Sequence, residues 1–498
     1  MKTFFRILSF LTLLFMPATN VLAEATEDFL QALLRIDLNQ MLADITELSG
    51  STYEGRQAGT LGGRRSADLV AERMKDLGVL PAGPWEQGVT APSWFQQDPV
   101  RVPLFPNTAL LEFSILQGKQ QRRDVITELA KDFLPVLDSP AVNITAPVVF
   151  VGYGIDDPAR GVTDYDGISV RNRIVLFLRG KPPDYPKFLT HADKEKTARE
   201  KGAVGFLTLT GPILNSYDAR RGMGQTPLAM YSANIDERPL PGCWISGQLG
   251  ERLFESQELS LREVQQRLNE GHDSYPKVLG FLSHLQWDHT IQPGNLINVL
   301  GLLPGNDPVL RDETVIIGAH RDHFGRQADL LFPGADDNAS GTALLLEVAR
   351  LFTTYERPKR SILIVSFSGE ERGLLGSKLY VRDPVRPLEK TVAMINVDHV
   401  GVGNGNLTVG VTHMPNSLAK EATELAGLNN KVKLYGYFPG GDHVPFVKAK
   451  VPTVAVVSSG THSSFHQPSD TADTIQLNVL DMATRYVLAL AWLLANPS

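Results

Sequence analysis

Two adjacent carboxylates, Glu370 and Glu371, close an apolar run in the segment ILIVSFSGEERGLLGSKLYV. Like charges side by side at the end of such a run are costly unless a cation lies between them or the two perform different tasks. A divalent metal satisfies both conditions, because one carboxylate can ligate the ion while its neighbour acts as a base on an activated water. Other acidic and imidazole side chains recur around the pair: His320 and Asp322 in GAHRDHFG, Asp336 and Asp337 in GADDNASG, Asp398 in INVDHVG, and His466 in FHQPSDT. Imidazole and carboxylate together suit zinc or a similar ion, and two histidines with three or four carboxylates exceed what one tetrahedral zinc requires. Two ions about 3.5–4 Å apart, sharing one carboxylate and one water, account for the number of ligands. Asp322, two residues after His320, is placed to accept a hydrogen bond from the second imidazole nitrogen, and Asp470 to do the same for His466.

The elements that must carry these residues follow from hydrophobic spacing. NLINVLGLL, ETVIIGAH, RSILIVSFSG, TVAMINVD and VPTVAVVSS are near-continuous apolar runs, the pattern of strands buried on both faces. SGTALLLEVARLFTTY, GLLGSKLYV, SLAKEATELAGL and VLDMATRYVLALAWLL alternate with them and supply covering helices. The expected fold is therefore α/β, a doubly wound and mostly parallel sheet, with most candidate ligands just past the carboxyl ends of its strands. Two amphipathic helices between residues 30 and 80 flank the polar segment YEGRQAGTLGG, read as a plain loop because no strand precedes it and no Gly-Lys-Ser/Thr follows. Between about 140 and 287 the pattern changes to short β-branched runs with a polar helix from 191 to 201, which reads as a separate β-rich insertion. The expected division is a leader over 1–23, an N-terminal part of the main domain over 24–139, the insertion over 140–287, and the site-bearing domain over 288–498.

Composition narrows the partners. The 498 residues are 43% hydrophobic and carry 48 basic against 55 acidic side chains, a formal charge of −7 without long runs of one sign. That balance offers no electrostatic footprint for nucleic acid or for an anionic membrane, and favours a small-molecule or peptide ligand. The N-terminal segment MKTFFRILSFLTLLFMPATNVLA has basic residues, then a short apolar core, then a small-residue site at Ala23. It reads as a secretory leader, with the product exported to a bacterial periplasm or beyond and no stable membrane association after cleavage. Cys243 is the single cysteine, so no intramolecular disulfide contributes to stability.

The motifs GAHRDH, GADDNASG, FSGEERGLLGS, INVD and the terminal HxxxD resemble those of the co-catalytic di-zinc aminopeptidases of peptidase family M28. The likeness extends to the N-terminal helices and to the insertion, which resembles that family's protease-associated domain. The resemblance implies a zinc exopeptidase fold, two Zn²⁺ per chain and peptide substrates cut at the free amino terminus. It implies that Asp337 bridges the ions, with Glu371 and His466 completing one site, His320 and Asp398 the other, and Glu370 serving as general base. It also implies a cis peptide between Asp337 and Asn338. One departure is Phe465, where relatives often carry a tyrosine that hydrogen-bonds the oxyanion; Tyr437, His443 and His462 are the replacement donors considered. Two other readings stay open: a carboxypeptidase of the same family, which would need arginines such as Arg321, Arg326 and Arg372 to clamp a carboxylate, and a non-catalytic receptor-like binding protein. A single-zinc glutaminyl cyclase is disfavoured by the insertion.

Overall fold

Four apolar runs, Ser361–Phe367, Thr314–His320, Thr391–Val397 and Thr453–Ser458, lie side by side as parallel strands. Every residue of the first two is buried, which is why their sequences show no alternation. The coordinates are a computed structural model that describes residues 27–497 except 86–88, 105–107, 118–120, 224–225, 233–238, 272–275, 328, 356 and 438. The leader read at 1–23 lies outside the described residues.

Antiparallel strands extend the sheet on both sides. Thr290–Leu303 pairs with Ser361–Phe367 and with Phe95–Leu104, and Leu407–Thr412 pairs with Thr453–Ser458. Helices Leu38–Leu48, Ser340–Thr354 and Leu477–Ala495 pack on one face in a continuous apolar core. Leu375–Arg382 and His443–Lys448 cover the other, where the rings of Tyr380 and Phe446 stack 5.7 Å apart. The doubly wound α/β architecture expected from the apolar runs is present. Helix Leu477–Ala495 is long and apolar enough to cross a membrane by length and composition, yet 72% of its apolar window is buried inside the protein. Its hydropathy reflects packing of residues such as Tyr486 and Leu490 into the core.

A second sheet of eight strands has its own core of Phe113, Phe150, Leu176, Leu207 and Phe281. It begins earlier than expected. Ala109–Gln117 pairs with Pro276–Trp287, with Ala109 opposite Trp287, while Leu104 and Thr290 are partners in the first sheet. The boundary at 140 therefore falls inside the second unit. Within Ala109–Gln117, Leu111 and Phe113 are fully buried while Leu110 and Glu112 are partly exposed.

Candidate metal centre

The carboxyl ends of the parallel strands deliver the polar side chains to one crevice. His320 is the last residue of its strand, Asp398 follows Thr391–Val397, and the loop after Thr453–Ser458 carries His466. Asp337 lies in the turn Ala335–Ala339 that leads into helix Ser340–Thr354, and its peptide bond to Asn338 is cis. That turn needs glycine at 334: its φ is +59°, and a Cβ there would sit 2.2 Å from the Asp337 carbonyl oxygen.

Asp337 divides its two oxygens between two sets of ligands. Oδ1 lies 3.4 Å from His320 Nε2, which is 3.2 Å from Asp398 Oδ1. Oδ2 lies 3.4 Å from His466 Nε2, which is 3.5 Å from Glu371 Oε2. These separations match the edge of a tetrahedron of roughly 3.3 Å whose vertices lie about 2.0–2.1 Å from a central zinc. All five residues read as ligands in the sequence thus converge, as two imidazole-carboxylate sets sharing one carboxylate.

The charges fit an ion as well as the distances do. Burial holds Glu371 well above the usual carboxylate range, reinforced by Asp337 and Glu370. Burial opposes ionisation of Asp337 too, but His399, His323, His466 and His320 outweigh it and hold its carboxyl well below that range. Burial lowers His466 to about 4, which favours the neutral imidazole a metal ligand must be. Glu370 is likewise pushed well above its ordinary value, first by burial and then by Asp398, Asp442 and Asp337, with His320 opposing. A cluster this rich in buried carboxylates calls for added positive charge.

Glu370 and Glu371 do not alternate along a strand. Their strand ends at Phe367, and Gly369, with φ +73°, turns the chain before them. The Glu370 carbonyl then accepts from the Gly373 and Leu374 N–H groups at 2.9 Å, so a turn rather than a pleat separates the two side chains.

The supporting contacts differ from those expected. His320 Nδ1 meets the Asp322 backbone carbonyl at 3.1 Å, while the Asp322 carboxylate is 3.8 Å from that nitrogen and accepts from the Glu370 N–H at 3.2 Å. The Asp322 carboxylate therefore holds the Glu370 backbone, and it is the main-chain carbonyl of Asp322 that meets the imidazole. Asp470 accepts from the N–H groups of Asp336 at 2.9 Å and Asp337 at 3.0 Å, and so holds the turn of the shared carboxylate rather than His466. The segment read as a plain loop also has a structural task. Its Arg56 is fully buried, and donates to the carbonyls of Arg321 at 2.6 Å, Leu48 at 2.7 Å, Pro333 at 2.5 Å and Gly334 at 2.7 Å, bracing the chain just before Asp337.

Two histidines escaped the sequence reading. His323 Nδ1 lies 2.7 Å from Glu371 Oε1 and 3.9 Å from Asp337 Oδ2, leaving Glu371 Oε2 to His466. His399 Nε2 lies 3.5 Å from Asp337 Oδ2 and 3.7 Å from Asp398 Oδ1. Both adjoin recognised motifs, in GAHRDHFG and INVDHVG, and that proximity was the available signal. Of the three donors considered for an oxyanion, His462 binds Asp336 Oδ2 through Nδ1 at 2.6 Å, His443 is buried, and Tyr437 is half exposed with its ring 6.3 Å from that of His443. The arginines considered as a carboxylate clamp do not gather. Arg321 is buried and donates to the carbonyls of Ser366, Phe367 and Ile297, Arg372 donates to that of Arg101, and Arg326 is exposed beside a 410 Å³ cleft.

The site is a buried cluster of imidazoles and carboxylates, suited to hold metal, at the carboxyl edge of a doubly wound sheet. Residues 298–491 match the model of peptidase family M28. It is 39% identical over 133 residues to aminopeptidase NAALADL1 of Mus musculus, a match covering 26% of this chain and 17% of the relative. It is 25% identical to aminopeptidase YwaD of Bacillus subtilis over 445 residues, covering 87% of this chain and 80% of the relative. The chain thus spans less than a fifth of the length of the mouse relative and most of that of the bacterial one. Among solved structures, an aminopeptidase from Aneurinibacillus sp. strain AM-1 superposes with a TM-score of 0.65 at 20% identity, covering 94% of this chain and 97% of the other. BSAP, a zinc aminopeptidase from Bacillus subtilis, gives 0.62 at 20% identity, covering 93% and 96%. These likenesses establish a shared fold.

Proposed function

We propose that the chain is a zinc aminopeptidase that hydrolyses the peptide bond next to a free amino terminus, using two ions held on either side of Asp337. The observation that carries this reading is the division of the Asp337 oxygens, each 3.4 Å from an imidazole of a different ligand set. His320, Asp398 and Asp337 would hold one ion, and Asp337, Glu371 and His466 the other. When bound, such ions acidify a water and polarise a carbonyl. Glu370 would accept a proton from the attacking water and return it to the departing amine. Its raised proton affinity suits both halves of that exchange, and the Asp322 carboxylate fixes its backbone. His323 steadies Glu371 through the 2.7 Å contact, so the ligand keeps one oxygen toward the centre.

The aminopeptidase names of the relatives support the choice of substrate end, and the dispersal of Arg321, Arg326 and Arg372 disfavours the clamp a carboxypeptidase would need. Retention of a full ligand set disfavours a purely receptor-like role. Export to a periplasm or beyond is proposed from residues 1–23, and the second unit is proposed to be a protease-associated domain, here starting at Ala109. The test is a panel of peptides with free and N-acetylated amino ends. Cleavage of the free peptides alone is expected; equal cleavage of both would overturn the reading.

A further inference from the structure

During attack on a peptide the carbonyl oxygen gains charge, and donors aimed at it are among the largest contributions to catalysis. Phe465 has no donor, and His462 is engaged with Asp336. The second unit supplies one. Arg221 follows the short helix Ser216–Arg220, and its guanidinium lies 4.0 Å over the Phe465 ring, which in turn stacks 3.6 Å from that of His466. Its NH1 is 3.1 Å from His399 Nε2, the same nitrogen that lies 3.5 Å from Asp337 Oδ2 and 3.7 Å from Asp398 Oδ1. One imidazole therefore separates this cation from both ligand sets.

Two further features mark Arg221 as awaiting an anion. Its Nε is buried without a hydrogen-bond partner, and among the described residues no carboxylate pairs with its charge. A guanidinium beside a centre built for cations is unfavourable unless negative charge develops next to it. The surrounding seam fixes its position. The His462 N–H donates to the Arg220 carbonyl at 2.6 Å, the Ala229 N–H to that of His466 at 3.3 Å, and Met223, Leu228 and Trp244 enclose Phe465. Gly222 approaches so closely that a Cβ would sit 2.8 Å from Ser463 Cα.

We propose that Arg221 is a catalytic residue contributed by the second unit, donating a hydrogen bond to the scissile carbonyl oxygen as it becomes an oxyanion. The inference rests on the aminopeptidase reading. In the step concerned, the water oxygen bonds to the carbonyl carbon, its proton passes to Glu370, and the carbonyl π pair moves onto the oxygen facing Arg221. Collapse re-forms the carbonyl and breaks the C–N bond, and the amine leaves with the proton from Glu370.

The experiment compares full-length, zinc-loaded wild type with Arg221→Met and Arg221→Lys, on aminoacyl-4-nitroanilides, which lack a carboxylate. Calorimetry with an aminoacyl phosphonic acid, a stable tetrahedral oxyanion, gives a readout independent of turnover. Zinc content and unfolding temperature should match wild type in both variants. For Arg221→Met, kcat should fall about 10²–10³-fold with KM changed less than about threefold. Phosphonate affinity should drop at least about tenfold, and Arg221→Lys should recover part of both losses. An unchanged kcat and phosphonate affinity would overturn the proposal, as would a loss confined to KM for substrates with a free carboxylate, which would make Arg221 a carboxylate clamp. A wild type that cleaves no free-amine substrate would instead refute the aminopeptidase reading, with phosphonate binding still reporting on Arg221.

Discussion

Replacing Asp470 by alanine separates the stability of the fold from the hold on metal. Its carboxylate accepts the buried N–H groups of Asp336 and Asp337 at 2.9 and 3.0 Å. Removing it orphans both donors, at roughly 1–3 kcal/mol each. The same change relieves a buried charge. Burial first, and Asp336 next, push the Asp470 carboxyl up to about 7, so its ionised form at neutral pH opposes folding by roughly 4 kcal/mol. The two effects largely offset, and Asp470→Ala should alter the unfolding free energy of the metal-free protein by no more than about 2 kcal/mol. The consequence falls on Asp337, whose turn loses its anchor. Zinc affinity, measured by competition with a chromophoric chelator, should fall about 10–100-fold. Affinity unchanged within about threefold, with both N–H groups orphaned, would refute the claim that Asp470 positions the shared carboxylate.

Glu370→Gln should retain wild-type zinc content and lose at least about 10²-fold in kcat, measured by elemental analysis and nitroanilide hydrolysis; an active variant would remove Glu370 as the base. In the second unit, His191 lies between Phe177 and Phe206, 5.2 and 5.3 Å away, and burial, then the charge of Lys194, lower it to about 3. Because the unfolded imidazole binds protons more readily, its contribution to stability is present above about pH 6.5 and is lost as pH falls toward 3, by at most about 1.4 kcal/mol per pH unit. Thermal unfolding followed from pH 7 to 4 should decline less steeply in His191→Phe than in wild type; parallel curves would assign the acid sensitivity elsewhere.

His320, Glu371 and Asp398 were legible because they follow continuous apolar runs, and a run buried on both faces announces both its strand and where that strand ends. Contacts made through the backbone were not. That Asp322 serves the Glu370 N–H, and Asp470 the N–H groups of Asp336 and Asp337, depends on turn geometry that residue spacing does not encode. Glu370 and Glu371 likewise stand beyond the turn at Gly369 rather than on the strand itself. His323 and His399 were hidden by stronger neighbours, and Arg221 by its place in another unit, some 100 residues from the nearest ligand in sequence. The early start of the second sheet was obscured because the pairing of Ala109–Gln117 with Pro276–Trp287 joins segments at opposite ends of the unit.

The central claim is that one carboxylate, Asp337, is shared by two zinc ions. Anomalous diffraction at the zinc edge, on crystals of protein purified without chelator, tests it most directly. Two peaks about 3.5–4 Å apart are expected, one beside each Asp337 oxygen, with His320 and Asp398 at the first and Glu371 and His466 at the second. A single peak, or two that do not share Asp337, in protein active on free-amine peptides would contradict it.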